Sequence, residues 1–343
     1  MTIRYRPMRR KDVRECVDIV AAHPIVGPRY GSAIADLRAA WSRLLAGDGF
    51  CSATVFEEKI GDRANTVGVG VSVFASDEFL REAKKPPSFW IGPELAKRVA
   101  RGDHSSLLSS NQVREANSRE GLNLVVWQAT VREQHMQRVE VWDAFMKAGI
   151  EQHRGYRLKE LLVAQAESVE HLLGLRHTGG FFWDGKNQRY GDLPECNLQE
   201  IIRAPHVAGI TREIAFSRPL ESITSSIGGL FLYQPPRFGF SVSEQRLLHS
   251  ALAGGTDEEL SGELGISLST VKKTWRSVYD RVAACMPELI PSNSQPDGEA
   301  SKRGRDKKQR LISYLREHPE ELRPVSRKLL QQTAPARRHS RPD

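Results

Sequence analysis

At 343 residues, 39% of them hydrophobic and 27% charged, the chain has the composition of a globular protein and exceeds one ordinary domain, so two are expected. No apolar run approaches the roughly 18 residues of a membrane-spanning helix, and the polar start MTIRYRPMRRKD lacks an apolar signal core, so the expected location is cytoplasmic. Cys16, Cys51, Cys196 and Cys285 form no CxxC pair, which argues against a zinc site and against a disulfide framework.

The net charge of +8 is concentrated at one end. From Lys302 to Asp343 stand 13 Lys and Arg against 5 Asp and Glu, which accounts for all of it. A basic tail on a neutral body suits a polyanionic partner, nucleic acid before an anionic membrane, with a merely solubilising tail as the bland alternative.

In chain order, Ile3 to Arg6 alternates as a short strand, and Val13, Cys16, Val17 and Val20 recur at helical spacing in a helix from about Arg10. Ile34, Leu37, Trp41, Leu44 and Leu45 continue that period in a second helix, stopped by Gly47 and Gly49. CSATVFEEK and NTVGVGVSVFAS read as two strands about a turn at Gly61-Asp62. Residues 76–120, with Pro86-Pro87 and Gly92-Pro93, read as an insertion with some helix. GLNLVVWQATV is a strongly apolar strand, and QRVEVWDAFMKAGIEQHRG a helix closing at Gly155. YRLKELLVAQAES, VEHLLGLRHTGG and GFFWDG read as strand, short helix and final strand. The sum is an α/β domain over residues 1–185, a mixed sheet with helices. Its aromatic runs WDAF and FFW read as core, and His135, His153 and His177 do not cluster at metal-ligand spacing.

This element order resembles the GNAT acetyltransferase fold, with IRYRPMRRKDVREC as its opening strand and helix and VVWQATV to GGFFW as its second half. The resemblance implies a coenzyme A pyrophosphate loop, Gln/Arg-x-x-Gly-x-Gly/Ala, whose glycines let backbone N–H groups reach the phosphates. With Gln134 at the first position of that loop, Gln137 and Val139 stand where small residues belong. The domain is therefore expected to sense a ligand or make a dimer contact rather than turn over acetyl-CoA.

Residues 186–237 read as a connecting region with an amphipathic piece around Ile201, Ile202 and Ile210 and room for a short further structural element, ended by Pro235-Pro236. Over 238–290 the pattern changes to three short helices. SVSEQRLLHSALAGG offers Ser243 as N-cap and Leu247, Leu248, Ala251 and Leu252 as its apolar face. TDEELSGEL opens with Thr256 and Glu259 at capping-box spacing, with Leu260 and Leu264 on one face. Gly265 permits a tight turn and Ile266 plugs the space between two helices. Ser267 or Ser269 caps a last helix in which Val271, Trp275, Val278 and Val282 face inward, leaving Thr270, Lys272, Lys273, Arg276, Ser277 and Tyr279 on the opposite side. A helix, a glycine turn and a second helix with one apolar and one cationic face have the form of a helix-turn-helix; a plain helical hairpin with a solvated lysine face is the bland reading.

The stretch TDEELSGELGISLSTVKKTWRSVYDRV resembles the LuxR-type DNA-binding domain, with Thr256, Glu259, Leu260, Leu264, Ile266, Ser267, Thr270, Val271 and Lys272 on its pattern in register. The resemblance implies that Ser269 and Thr270 touch phosphate, that Lys272 faces DNA, and that Lys273, Arg276 and Ser277 are further DNA contacts. Glu259 holds the positioning helix, while Leu260, Leu264, Gly265, Ile266, Val271 and Trp275 are structural. Thr274 stands where the family usually has His, and the family's fourth helix does not follow directly. Residues 291–343 read as a basic linker and tail with one short helix, DKKQRLISYLREH, whose Leu311, Ile312 and Leu315 either make the dimer contact or dock elsewhere on the chain. The stretch SKRGRDKKQR would add phosphate neutralisation.

The reading that follows is a transcriptional regulator that reads the major groove with the helix beginning near Ser269. The alternatives are a GNAT-type N-acetyltransferase targeted by its helix-turn-helix, and a structural module whose helices serve protein contacts. Double-stranded DNA, RNA polymerase, a second copy of the chain and a small-molecule effector of the N-terminal domain are the expected partners, without a membrane. No cofactor is expected, acetyl-CoA entering only under the alternative.

Overall fold

The computed structural model describes residues 2–47, 49, 51–61, 63–85, 89–164, 166, 168–169, 181–184, 189–191, 202–217, 227–252, 254–290 and 300–326. The chain divides into two compact units, Met1–Leu232 and Tyr233–Asp343.

β-Branched and aromatic residues at period two build the sheet of the first unit. Its strands are β1 (Thr2–Pro7), β2 (Ser52–Ile60), β3 (Arg63–Ala75), β4 (Leu122–Val131), β5 (Leu158–Val163), β6 (Phe181–Asp184), β7 (Arg189–Gly191) and β8 (His206–Thr211), in the order β1-β2-β3-β4-β5-β8-β6-β7. Every pairing is antiparallel except β4 with β5. A parallel neighbour needs a crossover element, and the helix Val139–His153 supplies it.

Helices α1 (Val13–Ala22), α2 (Val26–Tyr30), α3 (Ile34–Ala46), α4 (Asp77–Ala83), α5 (Ile91–Ala100), α6 (Ser110–Ser118), α7 (Val139–His153) and α8 (Arg212–Ser217) complete this unit among the described residues. Val17, Val20, Leu37 and Trp41 share the largest core with Val69, Val73, Val125 and Trp127. A second core joins β2, β3 and β4 to α7, where Phe145 stacks on Phe56 with ring centroids 3.6 Å apart. Gly68 is required there, since a Cβ would stand 2.8 Å from both Phe145 Cζ and the Thr130 carbonyl oxygen.

The stretch 76–120, read as an insertion with some helix, supplies α4, α5 and α6, and Ile91, Leu95, Ala96 and Val99 of α5 are buried in the main core. The expected connector over 186–237 instead supplies β8, hydrogen-bonded between β5 and β6, so the first unit runs to Leu232 rather than to 185. The expected short helix at 169–180 lies almost wholly outside the described residues, as do Cys196 and His177.

Buried His23 caps the entry to α2: its Nδ1 accepts from the backbone N–H groups of Ile25 at 3.3 Å and Val26 at 3.2 Å. Burial, assisted by the Arg29 charge, pushes its pKa down to about 4 from an ordinary 6.5. The unfolded chain therefore takes the proton first, so this contribution to stability is complete above pH 6.5 and is lost as pH falls toward 4. The shift corresponds to about 3 kcal/mol. In His23→Asn, whose Oδ1 retains the acceptor, the thermal midpoint of this unit is expected to fall less between pH 7 and pH 4.5 than in the wild type; equal falls would remove His23 as the cause.

In the second unit, periodic Leu and Val build α9 (Val242–Leu252), α10 (Asp257–Leu264), α11 (Leu268–Cys285) and α12 (Ala300–Glu317), followed by a 3-10 turn, Pro319–Leu322. Phe238, Phe240, Leu247, Leu248, Leu260, Val271, Trp275, Val278 and Val282 form its core together with Leu311, Ile312, Leu315 and Leu322. The division expected between 238–290 and a tail at 291–343 is thus corrected. The later helix has 18 residues and closes the same core, so its apolar face is occupied within this chain.

Candidate nucleic-acid interface

α10 opens with a reciprocal cap. Thr256 Oγ1 accepts from the Glu259 N–H at 3.3 Å, and Glu259 Oε2 accepts from the Thr256 N–H at 2.7 Å. It closes at Gly265, whose φ of 64° and ψ of 33° place it in the left-handed region where a side chain would be strained. Ser261 fastens the turn by donating its hydroxyl to the Ile266 carbonyl at 2.6 Å and accepting the Ile266 N–H at 3.2 Å on its own carbonyl.

Of the two serines that could cap the next helix, Ser267 does so. Its Oγ accepts from the Thr270 N–H at 3.2 Å and lies 2.8 Å from the hydroxyls of both Ser269 and Thr270. Three hydroxyls thus gather at the start of α11, whose first turn holds no acidic residue. The helix dipole adds partial positive charge at that point.

The two faces of α11 differ as the periodicity predicts. Val271, Trp275, Val278 and Val282 are buried, whereas Ser269, Thr270, Lys272, Lys273 and Arg276 are exposed. Leu260 is buried, while Leu264 and Ile266 pack half-buried against the same core.

Ser277 is exposed like the other outward residues and is at the same time bonded to a neighbouring helix. It sits on the flank of α11 and donates its hydroxyl to Glu244 Oε1 at 2.8 Å, tying this helix to α9. Sequence reasoning missed Glu244. Its buried carboxylate also accepts from the Ser241 N–H at 2.6 Å and pairs with Arg281 at 3.3 Å. Burial alone would raise its pKa, but the bonds from Ser241, Ser277 and Arg281 outweigh it and hold the carboxyl below its usual range. Ser241 Oγ in turn accepts from the Glu244 N–H at 3.3 Å, so the cap of α9 is Ser241 and not Ser243. The Ser-x-x-Glu spacing of 241–244 was the available signal.

Lys308 of α12 was also missed. Its ammonium lies 3.1 Å from Asp257 Oδ1, 3.2 Å from the Gly255 carbonyl oxygen and 5.2 Å from the centre of the Trp275 ring. One cation from α12 therefore touches the start of α10 and the inner face of α11.

The first unit offers a second candidate, a cleft of about 450 Å³ lined by Glu15, Glu58, Thr66, Arg132, Gln134 and His135 among others. Its charges are satisfied internally: Arg132 pairs with Glu15 at 2.8 Å, and Arg138 with Glu58 at 2.7 Å. The turn before α7 closes on itself, because the N–H groups of His135, Met136 and Arg138 donate to the carbonyls of Arg132, Glu133 and His135 at 2.8, 3.1 and 3.1 Å. Gln137 is exposed, and Val139 at the helix start is 78% exposed.

No family model, curated protein or solved structure matches the chain. Among the described residues no cluster of His, Cys, Asp or Glu is arranged to hold a metal ion, and no helix is long and apolar enough to cross a membrane.

Proposed function

We propose that this chain is a sequence-specific DNA-binding transcriptional regulator that inserts α11 into the major groove. The observation that carries the reading is the opposition of faces on α11. An apolar side fixes it to α9, α10 and α12, and the exposed Ser269, Thr270, Lys272, Lys273 and Arg276 occupy the side left to a ligand. Ser269 and Thr270, at a helix N-terminus, suit phosphate oxygens; Lys272, Lys273 and Arg276, within the next two turns, suit base edges and the flanking backbone. Ser277, exposed beside them, also ties α11 to α9 through Glu244.

The first unit fits a sensor or contact module of GNAT-like form better than an acetyltransferase. Its mixed sheet, in which β4 and β5 are the single parallel pair among the described residues and are joined by α7, supports the GNAT-like reading. The residues present do not fit coenzyme A at the expected loop. Three of the amides that a pyrophosphate would need are spent inside the turn, and Gln137 and Val139 crowd the approach.

The test is fluorescence anisotropy of the full chain on labelled duplex DNA at two salt concentrations. Lys272→Ala/Lys273→Ala is expected to weaken binding ten- to a hundredfold, the loss of one or two charge-assisted contacts of about 1–3 kcal/mol. Wild-type affinity in the double variant would sink the proposal. Saturable acetyl-CoA binding by calorimetry would favour the acetyltransferase instead.

A further inference from the structure

We infer that α7 is a contact surface between two copies of this chain, which pair their α7 helices antiparallel across a two-fold axis; this rests on the contact-module reading of the first unit and deepens it. Both faces of α7 are apolar. Val141, Ala144, Phe145 and Ala148 are buried against β2, β3 and β4. The opposite face carries Val139, Trp142, Met146 and Ile150 at spacings of three, four and four, which align them in one stripe along the helix. Val139 is 78% exposed and Met146 46%, while Trp142 and Ile150 are half-buried. A helix apolar on both faces is ordinarily covered on both.

Trp142 is fixed before any partner arrives. Its Nε1 donates to the Met136 carbonyl at 2.7 Å, and its ring centroid lies 5.5 Å from that of Phe145. A rigid, half-buried indole is the kind of side chain that anchors an interface. The charges beside the stripe specify the occupant. Acidic Glu140 and Asp143 come first along the helix, and Lys147 follows. Glu140 pairs with Arg138 at 3.6 Å. Asp143 and Lys147, both exposed, have no ion pair among the described residues. A second α7 running antiparallel brings Val139 against Ile150 of the second copy, gathers Trp142 and Met146 near the axis, and sets Lys147 beside Asp143 of the second copy. The two-fold axis makes each of these contacts twice. A parallel pair would instead set like charge on like. The other stripe that the sequence offers for such a contact, Leu311, Ile312 and Leu315, is occupied within the chain.

The experiment is sedimentation velocity of the full chain from about 1 to 100 µM, since one helix pair lies at the small, weak end of interfaces. The wild type is expected to pass from one chain to two within that range. Met146→Asp, which sets two carboxylates near the axis, and Lys147→Glu are each expected to weaken the dimer about tenfold or more. Asp143→Lys/Lys147→Asp exchanges the two charges within each copy and is expected to restore association to the wild-type level, which a variant damaged only in its fold would not do. Far-UV circular dichroism and the thermal midpoint verify that each variant folds. A dimer that neither single substitution weakens would overturn the inference and leave the first unit a contact module through another surface. An exchange that fails to restore association overturns the antiparallel pairing. A wild type that stays a single chain throughout removes the contact-module reading as well and leaves the sensor.

Discussion

Truncating the chain after Ile290 is expected to abolish cooperative folding of the second unit and its DNA binding together. Leu311, Leu315 and Leu322 lie beyond that point and are buried against Phe238, Phe240, Leu247 and Leu248. Emptying a buried leucine site costs about 2–5 kcal/mol, so three amount to on the order of 10 kcal/mol, as much as the whole stability of a small domain. Glu321 would leave as well. Its buried carboxylate accepts the N–H groups of Arg237 at 2.9 Å and Phe238 at 3.0 Å, and the cut strands both donors. Amide hydrogen exchange of α11 by mass spectrometry checks the prediction. Retained protection in the truncated chain would mean that α9, α10 and α11 suffice as a core. Substitution, not truncation, therefore separates the charge of the tail from the reader.

The sequence made α11 legible because its rules are local. The caps at Thr256 and Ser267, the left-handed turn at Gly265 and the spacing of Val271, Trp275, Val278 and Val282 each depend on neighbours within one or two turns. Local rules do not say what a face meets. Leu311, Ile312 and Leu315 form the same stripe whether it docks within the chain or on a second copy, which is why the tail looked separable. Ser277 lies on the flank of its helix, and only the crossing of α9 turns it toward Glu244. The amphipathic piece around Ile210 was not assigned to the sheet as β8 for a related reason. His206–Thr211 is a short run whose place between β5 and β6 is set by strands distant in sequence, and by Gly209, where a Cβ would stand 2.3 Å from the Leu161 carbonyl oxygen. The sequence reading took Ser243 as the cap of α9, and the bonds of Glu244 with Ser241 assign it to the serine two residues earlier.

Trp275→Ala is expected to cost the second unit about 3–5 kcal/mol, and Trp275→Phe about 1 kcal/mol. The indole is buried on the inner face of α11, stacks on Tyr279 with ring centroids 5.5 Å apart, and receives the Lys308 ammonium on its face. Among the described residues its Nε1 has no hydrogen-bond partner. Phenylalanine therefore forfeits no hydrogen bond, removes an unpaired buried donor and keeps an aromatic face for the cation, losing only volume. Alanine removes the ring from among α9, α10 and α12 at once and leaves Lys308 held by Asp257 and Gly255 alone. Denaturant unfolding followed by far-UV circular dichroism measures both costs; equal losses in the two variants would refute the volume account. On the DNA-binding reading the same pair separates stability from contact, because Trp275 faces away from the duplex. Trp275→Phe should bind DNA as the wild type does. Trp275→Ala should lose affinity in proportion to the fraction unfolded, recovering it at lower temperature or with a stabilising osmolyte, whereas Lys272→Ala/Lys273→Ala should not recover under either condition.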